Sequence, residues 1–212
     1  NRQQLSFSDV AQHEGIADPS REVLKFGVFF FDYDLDGRQD LLTCNGHLAP
    51  EISQLPSERA GQTYEQPVQL FWNTGDQPCY VLVEAEQVGY DLLRPLVGRG
   101  CAYADIDGDG HLDVALSQTD GPARLLRNEG GTNHNWLRLV LEGDGENSNR
   151  SAIGAKVTVE AGGLVQRREV TSGRGYLSQS ELPLTFGLKN AETVERVTIQ
   201  WPGRNAFKQR LT

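Results

Sequence analysis

The sequence predicts an all-β chain: a partial propeller-type repeat region followed by a small sandwich-like β domain. Three observations carry that expectation. One aspartate-rich unit occurs twice, 73 positions apart, and internal repeats of this size belong to propellers or solenoids. Short apolar or β-branched runs recur between Gly, Asp and Asn, whereas helix-period patterns are scarce. Beyond residue 130 the spacing changes to alternating strands separated by glycine turns such as 161–163 (AGG). The repeat region is therefore placed at 1–130, with an insertion at about 46–68, and the second domain at 131–212.

In the first unit, 28–31 and 41–44 read as strands on either side of the aspartates; 102–104 and 114–117 repeat them. Upstream, 7–10 (FSDV) falls opposite 80–83 (YVLV) at the same offset. Downstream, 70–75 (LFWNTG) matches 125–130 (LLRNEG) at an offset of 55, and the 18-residue difference between the offsets is the insertion. Single helical turns are expected at 21–25 and 57–60. Residues 130–133 (GGTN) form a short linker, and 136–141, 155–160, 165–171 and 194–201 alternate as strands of the second domain. A closed propeller takes roughly four to eight blades. With two units, either further blades lie upstream or the units pack in another way.

The 212 residues carry a net charge of −9, with basic residues scattered, which argues against a nucleic-acid partner. No apolar run approaches the ~20 residues of a membrane span. The absence of Met and of a basic-then-apolar leader reads as an excised or processed piece of a longer protein. Cys44, Cys79 and Cys101 lack metal-type spacing; Cys44 and Cys101 are expected as buried thiols, and the spacing selects no disulfide pair.

The chemistry lies in the two loops. Residues 29–42 read FFFDYDLDGRQDLL and 100–116 read GCAYADIDGDGHLDVAL, so each unit contains D-x-D-x-D-G-x-x-D against apolar strands. Crowded carboxylates repel and resist desolvation, so a cation is the expected counterpart. Oxygen-only ligands in this number favour Ca²⁺ over Mg²⁺. An EF-hand is excluded, because its closing Glu is replaced by Thr43 and Leu116 and strands flank the loops. The expected first site is Asp32, Asp34, Asp36 and Asp40 with the Arg38 carbonyl; the second is Asp105, Asp107, Asp109 and Asp113 with the His111 carbonyl. Two Ca²⁺ ions follow, and their role is read as structural, because four carboxylates leave little room for substrate.

With 7–16 (FSDVAQHEGI) before them and LFWNTG after, these loops resemble FG-GAP/VCBS repeats of β-propellers. Residues 148–157 (SNRSAIGAKV), 173–179 (GRGYLSQ), 186–188 (FGL) and 201–203 (WPG) resemble the ASPIC/UnbV domain, which follows such repeats in the cartilage acidic protein-like family. The resemblance implies a secreted, cell-surface or periplasmic calcium-binding protein. Relatives carry a similar N-G-H, so His47 is a candidate ligand-site residue, as are Arg150, Arg174 and Tyr176 within the second-domain motifs. The bland readings are that His47 packs its turn, the arginines brace turns and Tyr176 packs the domain. His13, His111 and His134 read as surface positions. The leading expectation is a non-enzymatic binding or adhesion module for a protein or glycan. The alternative is an enzyme with a pocket near the 46–68 insertion involving His47.

Overall fold

The structure is a computed structural model describing residues 6–54, 62–203 and 207–212. It is all-β apart from short helical turns. In the first unit β1 (Lys25–Phe31), β2 (Asp40–Asn45), β3 (Gln69–Asn73) and β4 (Tyr80–Leu82) form one antiparallel sheet in that order. In the second, β5 (Gly98–Ala104), β6 (Asp113–Gln118) and β7 (Arg124–Leu126) do the same. The repeat is visible in the register. Phe31 pairs with Asp40 and Ala104 with Asp113; Leu41 pairs with Phe71 and Val114 with Leu126. Each aspartate loop is therefore the connection between the first two strands of its sheet.

Alternation decides which face is buried. Gly27, Phe29 and Phe31 point inward along β1, while Val28 and Phe30 remain exposed. Strand β2 is buried at all six positions, as expected of a central strand covered on both faces. Phe29, Phe31 and Leu42 of the first sheet share one hydrophobic cluster with Cys101, Val114 and Leu116 of the second. Cys44 and Cys101 are buried as expected, and all three cysteines are free thiols.

The remaining strands form two sheets. One has the order β10 (Leu164–Glu169), β9 (Lys156–Ala161), β12 (Arg196–Gln200), β13 (Lys208–Leu211). The other pairs β8 (Asn135–Leu139) with β11 (Leu184–Lys189). Val157, Val159, Phe186 and Ile199 join them in a second hydrophobic cluster. Phe186 is fully buried, with the Arg168 guanidinium 5.5 Å from its ring. Phe186→Ala is expected to lower stability by about 3–5 kcal/mol, read by denaturant titration.

Several local expectations are revised. Residues 21–25 are not helical: a turn of helix, α1, occupies Ala17–Ser20, and Lys25 already pairs with Asn45. The sheet ladder thus takes residues that a propensity reading leaves to a turn. The turn expected at 57–60 lies outside the described residues. The upstream match fails, because β4 pairs with β3 whereas residues 6–10 lie in no strand and Phe7 is 93% exposed. Two unpredicted helical turns, α2 (Ala85–Val88) and α3 (Tyr90–Leu93), join the sheets; Glu84 and Gln87 form a capping box on α2.

Candidate metal centres

The two loops fold by the same local hydrogen bonds. The Gly37 amide donates to Asp32 Oδ2 (2.9 Å) and the Gly110 amide to Asp105 Oδ2 (3.2 Å). Both glycines have φ of 90°, a left-handed backbone that side-chain-bearing residues disfavour. The Asp36 and Asp109 amides donate to Asp34 and Asp107; the Arg38 and His111 amides donate to Asp36 and Asp109. Asp40 accepts from the Tyr33 and Asn73 amides, and Asp113 from those of Ile106 and Asn128. Asn73 and Asn128 complete the loop hydrogen bonding from outside the loop motif, though both lie in the segments matched at an offset of 55.

Three of the four expected carboxylates gather in each loop. Asp32, Asp34 and Asp40 each place an oxygen within 4.8 Å of the others, as do Asp105, Asp107 and Asp109. That spread suits one ion with bonds of about 2.3–2.6 Å. Asp36 instead pairs with the Arg38 guanidinium, which also donates through Nε to the Asn73 carbonyl (2.8 Å). Asp113 lies outside the second group. In that loop the Arg127 guanidinium donates to Asp107 (2.7 Å) and reaches Asp109 (3.5 Å). Arg38 therefore enters its site by its side chain as well as its backbone, and the chain's own cations sit on carboxylates in both loops. Arg127→Gln is expected to raise the calcium affinity of the second loop a few-fold, read by titration calorimetry, because Arg127 and an incoming cation compete for Asp107 and Asp109.

Burial separates the loops. Asp40 and Asp113 are both buried, but Asp32 and Asp36 are 1% and 4% exposed, whereas Asp107 is exposed and Asp105 and Asp109 half-buried, with the Asp105 side chain covered. Burial pushes the Asp32 carboxyl up to about 7 and Asp40 up to about 8, and raises Asp34, with the neighbouring Asp36 adding to the rise. Arg168 opposes the rise at Asp32. A cavity of about 20 Å³ between Asp32, Tyr103, Arg168 and Arg174 has room for one water. Asp32 Oδ1 is buried with no hydrogen-bond partner. An unpaired buried carboxylate oxygen among raised carboxyls is what a bound cation would satisfy, so these residues fit a hard divalent ion.

The other histidines and candidates are placed as follows. His134 bonds the Asp34 carbonyl through Nδ1 (2.8 Å), and His111 Nδ1 is buried, so neither is a bare surface position. His13 is exposed. His47 Nδ1 accepts from the Ala49 amide (3.0 Å), bracing its own turn, and Arg99 holds the His47 carbonyl. A cavity of about 570 Å³ is lined by Phe31, Leu42, Leu112 and Leu126 with Arg127 and Asp91, and His47 takes no part in it. Arg174 and Tyr176 share a neighbourhood: Arg174 lies 5.7 Å from the Tyr103 ring and Tyr176 packs edge-on to Phe26. Tyr176 thus packs on the first unit rather than within its own domain. Arg150 lies apart from them in its contacts, beside Gly145, in a turn closed by the Gly143 amide on its carbonyl.

Strands β8 and β11 reach both loops. The Gly187 amide donates to Asp32 Oδ2 (3.2 Å) and the Lys189 amide to the Leu35 carbonyl (3.1 Å). Trp136, the cross-strand partner of Gly187, lies against Gly110. Arg138 bridges Asp105 (3.6 Å) and Glu181 (2.5 Å).

Residues 145–212 match the ASPIC and UnbV family. The match begins downstream of β8, although β8 pairs with β11 inside it. Cartilage acidic protein 1 of Homo sapiens is 28% identical over 95% of this chain, and that of Mus musculus 35% identical over 93%. The Xenopus tropicalis protein is 33% identical over 52%. The chain covers 36% of the human and mouse proteins and 17% of the frog one. The chain thus carries an ASPIC/UnbV domain and is homologous to cartilage acidic protein 1 over about a third of the length of the mammalian relatives.

Proposed function

We propose that this chain is a non-enzymatic binding or adhesion module of a secreted or surface protein, with Ca²⁺ held in both aspartate loops mainly as a structural ion. The single observation that carries the calcium part of the reading is Asp32: a carboxylate 1% exposed, one oxygen unpartnered, against two further carboxylates. Calcium would supply the charge that lets Asp32, Asp34 and Asp40 ionise together. The chain's part is to orient them: Gly37 and Gly187 fix Oδ2 of Asp32, Tyr33 and Asn73 fix Asp40, and the Trp72 indole fixes Asp34 (3.1 Å). The finer architecture belongs to the same proposal: FG-GAP/VCBS-type repeats forming part of a propeller, and a sandwich-like second domain. Homology to cartilage acidic protein 1 supports an extracytoplasmic setting, and no helix among the described residues is long and apolar enough to cross a membrane. The proposed partner is a protein or glycan.

Titration calorimetry tests the reading. The chelator-treated chain is expected to take up two Ca²⁺ ions; Asp32→Asn should lose one and Asp105→Asn the other. A flat isotherm for the unsubstituted chain would reject it. His47→Ala is expected to leave calcium uptake and folding unchanged, as its ring serves only a local turn.

A further inference from the structure

We infer that β11 of the second domain is a working part of the first aspartate loop, so that cation binding there and docking of that domain are one linked equilibrium. The inference rests on the calcium reading above. It begins from an asymmetry between two otherwise parallel loops. Where the second loop has Gly108, with open space around it, the first has Leu35 at φ 60° and fully buried. A left-handed backbone is disfavoured for an ordinary L residue. Leu35 holds it with its carbonyl bonded to the Lys189 amide (3.1 Å).

The neighbouring Gly187 is the point of closest approach. Its amide donates to Asp32 Oδ2, leaving Oδ1 as the unpartnered oxygen, and a Cβ at 187 would overlap the Leu35 backbone and the Asp32 carboxylate. Gln166 Nε2 holds the Gly187 carbonyl (2.6 Å) and lies against Gly37. Asp32 is thus oriented by backbone 155 residues away. Gly187 is a positioning residue, since it touches a ligand carboxylate and would not itself bind the ion. If the ion prefers the loop as β11 shapes it, the ion must by reciprocity tighten the docking.

The test uses the full chain and Ca²⁺ alone. The first-loop isotherm is identified as the one lost in Asp32→Asn. Gly187→Ala and the milder Gln166→Leu are expected to weaken it at least tenfold while the second-loop isotherm stays in place, which also reports that the chain has folded. In the unsubstituted chain, Ca²⁺ should slow hydrogen exchange at the Gly187 and Lys189 amides at least tenfold. Should Gly187→Ala fail to fold, Gln166→Leu and amide exchange decide. Unchanged first-loop affinity together with calcium-independent exchange would overturn the coupling while leaving the calcium reading intact. No calcium uptake by the unsubstituted chain would remove both.

Discussion

Millimolar Ca²⁺ is expected to raise the melting temperature of the chelator-treated chain, with each loop contributing separately. At a free concentration about 100-fold above its dissociation constant, one site adds about 2.7 kcal/mol. For a chain of this size that corresponds to roughly 5–11 °C. Asp36→Asn and Asp109→Asn should each reduce the rise, although by different routes. Asp36 pairs with Arg38 in a buried setting, so its loss also leaves a guanidinium without its partner. Asp109 is half-buried and shares Arg127 with Asp107, so its loss should be milder in the ion-free state. Scanning calorimetry with and without chelator reads both effects. A melting temperature indifferent to Ca²⁺ in the unsubstituted chain would mean that the loops are solvated acidic turns.

The ion-free chain is expected to become less stable as pH rises from about 4 to 8, and Ca²⁺ to cancel or reverse that trend. Asp32 and Asp40 are raised in the folded state to about 7 and about 8, from an ordinary value of 3.8. A carboxyl with a raised folded pKa contributes its full stability below pH 3.8 and loses it as pH climbs through the folded value. Each pKa unit is worth about 1.4 kcal/mol, so Asp32 alone makes a loss of several kcal/mol over that window. A bound divalent ion inverts the sign, because it requires the ionised carboxylates and binds more tightly as they deprotonate. Asp32→Asn supplies the discriminating case. It keeps an oxygen to accept from Gly37 and Gly187 but removes the buried charge. At pH 8 it should therefore be more stable than the unsubstituted chain without calcium and less stable with it. Urea titration at pH 5, 7 and 9 shows the crossing; parallel pH profiles with and without Ca²⁺ would exclude it.

The sequence by itself determined the units that close over short distances. The offset of 73 predicts that Asp113 does for Ile106 what Asp40 does for Tyr33, and the loops repeat those bonds. The offset of 55 places Asn73 and Asn128 as equivalents, and both amides complete their loops. Such features are legible because the bonds within each loop join residues two to seven apart, the Asn73 and Asn128 bonds close over 33 and 15 residues inside matched segments, and strand alternation depends on immediate neighbours. The 145–212 motifs were legible for the same reason, as contiguous stretches.

Only the tertiary structure decided which surface each loop meets. Leu35 reads as one more apolar residue, and nothing near it in the chain says that it takes a left-handed backbone beneath Lys189. Gly187 reads only as part of the 186–188 motif, yet its amide meets a carboxylate 155 residues earlier. Tyr176 reads as a packing residue of its own domain and is instead set against Phe26. Burial of apolar surface is non-directional, so a sequence states how much must be covered and not by what. The difference between a buried Leu35 in the first loop and open space around Gly108 in the second is therefore a property of docking, although the two loops carry the same motif.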